Sequence, residues 1–251
     1  MLSPALQERY SRQLLLAEVG EAGQEKLARA RVLIVGCGGL GSPAAFYLAA
    51  AGIGRLGLVD RDVVELSNLQ RQVLHQVARL GVPKTESARQ TLQALNPHVA
   101  IDTYPLGLTA ANVAEIVGAY EVVVDAVDNF ETRYLVNDAC VAAGKPLVEA
   151  GVLRWDGMLT TIIPGRGPCY RCLFPTPPPP GTVPTTAEVG LMGTIPGVMG
   201  VLQANEVLKL ILGVGEPLVG RLLLFDGLRG SFQEVVIKRN PTCPVCVNKN
   251  C

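Results

Sequence analysis

Four of the seven cysteines fall in two C-x-x-C pairs, Cys169/Cys172 and Cys243/Cys246. Four thiolates at that spacing suit a tetrahedral zinc site, and the neighbouring Gly167-Pro168, Pro241 and Pro244 supply the tight turns that a metal knuckle needs. With every position taken by sulfur, such a site has no opening for water. Its role is then stability, and it ties the C-terminal segment back to the second half of the chain. A redox C-x-x-C pair is the competing reading.

A second constellation lies near the N-terminus. Gly36-Cys37-Gly38-Gly39-Leu40-Gly41 matches G-x-G-x-x-G, with Gly36, Gly38, Gly39 and Gly41 as its glycines. Glycines permit a tight turn and let backbone N–H groups approach a phosphate at the positive end of a helix. Asp60 follows nineteen residues after Gly41, where a carboxylate can accept hydrogen bonds from ribose hydroxyls. The pattern points to a nucleotide and does not by itself choose between NAD and ATP; glycines that merely pack a helix on a sheet are the bland alternative.

The residues after Asp60 turn the balance. A second crossover helix is expected there in a dehydrogenase, yet the chain continues Arg61-Asp-Val-Val-Glu-Leu-Ser-Asn-Leu-Gln-Arg71-Gln72, with Lys84 further on. Asn68, Gln70 and Arg71 thus lie beyond the end of the strand bearing Asp60. An arginine and a lysine beside a phosphate cradle suit a triphosphate attacked at phosphorus, although a solvated charged loop is the ordinary reading of such a stretch. Asp125-Ala-Val-Asp128-Asn129 offers a carboxylate for Mg²⁺. Asp128 is preferred because Asp125 is expected inside a strand; capping of the next helix by Asp128 or Asn129 is the alternative.

The elements that must hold these residues can be read from periodicity. Strands are expected at 31–35, 56–60, 99–104, 121–127 and 147–149, and helices at 42–51, 83–95, 110–119 and 132–143, with helical spacing also over 5–29. That alternation predicts an α/β fold: a Rossmann-like, mostly parallel sheet flanked by helices. Beyond Gly151 the expected strands, 157–163, 221–225 and 233–238, lack regular crossover helices, so antiparallel strands should continue the sheet toward the zinc-tethered segment. One domain over 1–251 is expected, with a nucleotide-binding half (1–150, including N-terminal helices) and a partner-binding half (151–251). Residues 175–186, Pro-Thr-Pro-Pro-Pro-Pro-Gly-Thr-Val-Pro-Thr-Thr, read either as a mobile crossover loop reaching 187 or as a rigid polyproline spacer.

Bulk properties narrow the classes. Lysine plus arginine equals aspartate plus glutamate at 22 each, so nothing general favours nucleic acid or an anionic membrane. No uninterrupted apolar run approaches the ~20 residues of a membrane span, and the first 30 residues lack a signal-peptide core. A cytoplasmic protein is expected. Cys37 and Cys140 read as packing residues and Cys251 as terminal; His75 and His98 are isolated.

Taken together, the chain resembles the MoeB/ThiF family, bacterial relatives of the ubiquitin-activating enzymes. The resemblance rests on Arg9-Tyr-Ser-Arg-Gln13, Gly36–Gly41, Ser67-Asn-Leu-Gln-Arg-Gln72, Lys84, Asp128-Asn129 and the two cysteine pairs, in order along nearly the whole chain. It implies an adenylyltransferase. Gly39, Asp60, Asn68, Arg71, Lys84 and Asp128 would hold ATP and Mg²⁺, with Ser67, Leu69, Gln70 and Asn129 as further contacts of those motifs. Arg12 would reach the triphosphate from the other subunit of a homodimer.

The implied substrate is a small ubiquitin-like sulfur carrier ending in Gly-Gly, of molybdopterin, thiamine or tRNA-thiolation type. Its C-terminal carboxylate would attack the α-phosphorus to give acyl-AMP and pyrophosphate. The implied catalytic set is Arg12, Arg71, Lys84 and Asp128. Some relatives carry a cysteine where this chain has Thr185 and Thr186, so no covalent carrier adduct is expected on that loop. Sulfur is expected from a separate donor of cysteine desulfurase or rhodanese type. The alternatives weighed are a tRNA threonylcarbamoyladenosine dehydratase of the same superfamily, an NAD-dependent oxidoreductase and a non-catalytic adaptor subunit.

Overall fold

A computed structural model describes residues 2–179 and 181–246; Cys251 lies outside the described residues. The N-terminal segment forms three short helices, α1 (Pro4–Arg9), α2 (Ser11–Leu14) and α3 (Gly20–Arg29). Then β1 (Arg31–Val35), α4 (Gly41–Ala51) and β2 (Arg55–Val59) make the first βαβ unit. Two single-turn 3₁₀ segments, Leu66–Asn68 and Val77–Arg79, lead to α5 (Lys84–Leu95), β3 (Ala100–Tyr104), α6 (Val113–Gly118), β4 (Val122–Asp125), α7 (Phe130–Ala143) and β5 (Leu147–Leu153). The second half holds β6 (Asp156–Ile162), α8 (Tyr170–Leu173), α9 (Thr186–Val189), α10 (Thr194–Leu212), β7 (Arg221–Asp226) and β8 (Ser231–Val236).

All eight strands join one sheet in the order β3-β2-β1-β4-β5-β6-β7-β8. The first five in that order run parallel, and β6, β7 and β8 follow by antiparallel pairing. Successive side chains point to opposite faces, so β1 feeds two cores. Val32 and Ile34 pack with α4, α5 and α10, while Leu33 and Val35 pack with α6, α7 and the cysteine turns. That is the expected mostly parallel sheet with an antiparallel continuation.

One expectation is corrected. The second half does contain a long helix, α10, which lies against α4, β5 and β6. Its sequence is apolar on most sides, with only Gln203, Asn205, Glu206 and Lys209 interrupting the later turns, and Gly193, Gly197 and Gly200 obscured its helical period. By length and composition α10 could cross a membrane, yet Met199, Ala204 and Val207 sit in the core, as in a central packing helix. The helical spacing over 5–29 resolves into the three N-terminal helices α1, α2 and α3.

Close approach between α10 and the start of α4 depends on Gly200. A Cβ there would lie 2.3 Å from the Leu40 carbonyl oxygen and 2.5 Å from Pro43 Cγ. Gly200→Ala is therefore expected to destabilise by about 1–3 kcal/mol, the usual range for overpacking, and to lower the melting temperature read by circular dichroism. An unchanged melting temperature would show that the two helices can part at no cost.

Candidate functional site

Strand register builds the site. Val35 pairs with Val59 on one side and Asp125 on the other, so β1, β2 and β4 end in one row. The next residues along each strand, Gly36, Asp60 and Ala126, therefore share the carboxyl edge of the sheet, where open α/β folds bind ligands. Gly36 adopts φ +98°, and a Cβ on it would meet the Ala126 oxygen at 2.6 Å. Gly41 is tighter still: its Cβ would fall 1.8 Å from the Gly36 oxygen. No other residue type fits at either position.

The turn is braced from below. Asp60 Oδ2 accepts the Cys37 N–H at 2.8 Å, and its Oδ1 accepts the Asp62 N–H at 2.9 Å. Burial raises the Asp60 carboxyl above its ordinary range, with Lys84 opposing the shift. Buried His75 holds the other side of the turn: Nε2 lies 2.9 Å from the Cys37 oxygen and Nδ1 lies 3.0 Å from Ser87 Oγ. A carbonyl only accepts, so Nε2 carries a proton and donates. Burial also pushes the imidazole pKa down. The sequence left His75 isolated, and no local signal could have paired it with a residue 38 positions away.

The cationic residues gather over this turn. A Cβ on Gly39 would sit 3.5 Å from Arg71 Cδ, and Arg71 Nη1 donates to the Ser67 oxygen at 3.1 Å. Lys84 opens α5; its side chain is almost wholly buried and Nζ donates to Asp62 Oδ2 at 3.0 Å. Asp62 was not anticipated. It occupies the lysine in the same way an anionic oxygen of a ligand could. Asn68 is buried and ties the chain locally, its Oδ1 accepting the Glu65 N–H, while Ser67 and Gln70 are exposed and Leu69 is half-buried.

The two aspartates after β4 separate cleanly. Asp125 ends the strand fully buried, accepting the Val127 N–H at 3.1 Å. Asp128 is exposed just beyond it, and Asn129 caps α7 through the Thr132 N–H at 2.9 Å. Of the two aspartates, Asp128 is the one open to solvent. Arg12 is not brought to this edge within one chain. Its neighbour Gln13 bonds the Ala51 oxygen at the far end of α4, roughly 15 Å from Gly41 by helix rise.

On the opposite face of the sheet, the sulfurs of Cys169, Cys172, Cys243 and Cys246 lie within 4.8 Å of one another. The separations 4.0, 3.6 and 3.4 Å bracket the about 3.8 Å expected for four sulfurs around zinc. Burial and the adjacent thiols raise Cys169, and burial raises Cys172. At Cys243 the push from burial is outweighed by the N–H groups of Cys246 and Val245, and the thiol falls to about 7. The donor set fits zinc. Cys37 and Cys140 are buried with thiols raised by burial, which suits packing.

A glycine turn at the sheet edge, an acidic residue closing β2 and cations over the turn make this a nucleotide-binding α/β protein. The chain belongs to the ThiF family, whose profile matches residues 10–245. It is 54% identical over 244 residues to a protein of Thermus thermophilus named sulfur carrier protein adenylyltransferase, covering 95% of this chain and 90% of that one. It is 56% identical to mouse adenylyltransferase and sulfurtransferase MOCS3, covering 95% of this chain but 52% of the relative, so it spans about half of that longer protein. Among solved structures it resembles E. coli MccB with ATP, with a TM-score of 0.83 and 28% identity over 95% of this chain and 74% of that one.

The neutral, buried His75 makes a stability prediction. With its folded pKa below the ordinary ~6.5, the unfolded chain binds more protons once pH falls under that value. Stability contributed by His75 is complete above pH ~6.5 and is lost as pH drops below it. Melting temperature should decline across that window, and His75→Gln should show a shallower decline. A parallel decline in both proteins would remove His75 from the brace.

Proposed function

We propose that this chain uses ATP to adenylate the C-terminal carboxylate of a ubiquitin-like sulfur-carrier protein, releasing pyrophosphate. The observation that carries the reading is the phosphate turn flanked by Arg71 and Lys84, in a chain 54% identical to a sulfur carrier protein adenylyltransferase along nearly its full length. A carboxylate is ionised at neutral pH and needs no general base. Rate then comes from placing the carboxylate in line with the α-phosphorus and from offsetting charge there. Asp60 fixes the ribose, and the turn amides approach the phosphates. Arg71 and Lys84 face the phosphates, with Lys84 exchanging Asp62 for a phosphoryl oxygen. Asp128, exposed at the strand ends, would hold Mg²⁺, whose charge would offset that of the phosphates.

Further features support the assembly implied by the resemblance. Leu15 and Leu16, just after α2, and Leu66, Val73 and Val77, between β2 and α5, are exposed, the kind of apolar surface a second copy would cover. A homodimer of that type lets Arg12 act across the interface. The four-cysteine cluster holds structural zinc, and sulfur comes from a separate donor protein.

Mixing the protein with purified Gly-Gly carriers, ATP and Mg²⁺ should yield an acyl-adenylate on one carrier, seen by mass spectrometry. No adduct on any carrier of the three pathway types would overturn the reading. Asp128→Ala is expected to abolish carrier-dependent ATP–pyrophosphate exchange with the melting temperature preserved. Lys84→Ala should slow exchange by about 10²–10³-fold, the scale of one lost charge-stabilising donor. Metal analysis should return about one zinc per chain, and its removal by chelator should lower the melting temperature.

A further inference from the structure

Arg133 sits one turn into α7, buried at 6% exposure, and spends its guanidinium on the site's backbone. Nη2 donates to the Val127 oxygen at 2.8 Å and to the Ala150 oxygen at 3.1 Å, while Nη1 donates to Glu149 Oε1 at 2.6 Å. Its Nε lies 3.9 Å from Asp125 Oδ2. Val127 immediately precedes Asp128. The same peptide turn is held at Val127 N by Asp125 and at Ala126 N by the Val35 oxygen. Arg133 therefore closes the last fastening of the segment that presents Asp128.

On its other side, Arg133 meets the cysteine turn. Its guanidinium carbon lies 5.8 Å from the centre of the Tyr170 ring, and Tyr170 follows Cys169 directly. That turn is itself docked along α7. The Tyr170 N–H donates to Asn137 Oδ1 at 2.9 Å, Arg171 forks onto Asp138, and Tyr134 donates to the Phe174 oxygen. One helix thus touches the cysteine cluster along its flank and the Asp128 turn at its start.

We propose that Arg133 is a positioning residue that, seated on Tyr170 of the cysteine turn, aims Asp128 at the nucleotide's divalent cation. The proposal rests on the reading of Asp128 given above. A lysine at 133 keeps the charge but loses the planar fork that spans the Val127 and Ala150 carbonyls and Glu149 at once. Tyr170→Leu keeps an apolar side chain, though a smaller one, and removes the ring face.

The test is calorimetry of the zinc-loaded protein with the α,β-methylene analogue of ATP, with and without Mg²⁺, alongside melting curves. Arg133→Lys is expected to cut the magnesium-dependent gain in affinity about tenfold or more, the usual cost of losing a residue that orients a metal ligand. Tyr170→Leu should move the gain in the same direction with its zinc retained. In an Asp128→Asn background, adding Arg133→Lys should cost nothing further. A full magnesium gain in both single variants, or an equal loss in the Asp128→Asn background, overturns the proposal. Should Arg133→Lys fail to fold, Tyr170→Leu alone decides. If Asp128→Asn keeps the magnesium gain, the assignment of Asp128 falls, whatever the Arg133 variants do.

Discussion

The structure depends on how closely the chain can cross itself where three parallel strands end. Gly36, Gly41 and the Ala126 carbonyl occupy a space with no room for a side chain, and that contact brings α4, β2 and the Asp125–Asp128 segment to one edge. With the turn pinned there, Asp60 and His75 can seize its Cys37 amide and carbonyl. Arg71 and Lys84 are then carried over it by the segment that follows β2. Each of these placements would be lost if Gly36 or Gly41 acquired a Cβ, since the strand ends would have to separate.

Beneath that edge lies a second constraint, a buried cluster of charge. Asp125, Arg133 and Glu149 are all withdrawn from water, and burial raises both carboxyls while the guanidinium opposes the shift. Glu149 rises to about 7. Such a group survives only with every partner in place, since removing one leaves an uncompensated charge costing about 3–5 kcal/mol. It also explains the division of labour between the two aspartates. Asp125 belongs to the frame, and Asp128, three residues on, stands exposed at the sheet edge.

Much of this was legible in sequence because the informative signals are local. The glycine turn, a strand leading to Asp60 and the place of Asp125 in a strand all follow from short-range pattern; the structure agrees, except that β2 spans Arg55–Val59 and stops one residue short of Asp60, where 56–60 was expected. The cysteine pairs were visible as pairs, and folding brings their sulfurs together. What escaped has a common cause. Helix α10 is apolar over most of its surface and seeded with glycine, so the periodicity that marks a half-exposed helix is absent. His75, Asp62 and Arg133 act through partners distant in sequence or through backbone oxygens, and neither leaves a trace in composition or spacing. Arg12 stands away from this edge within one chain, so only the family resemblance singled it out.

The cysteine cluster has a topological consequence. Its sulfur contacts join positions 74 residues apart, bracketing α10 and the last two strands. In polymer terms, a permanent clasp across such a loop removes on the order of 4 kcal/mol of chain entropy from the denatured ensemble. The antiparallel end of the sheet finishes in β8, which is exposed along its length, so a metal shared by these four thiols would fasten at its base what burial does not.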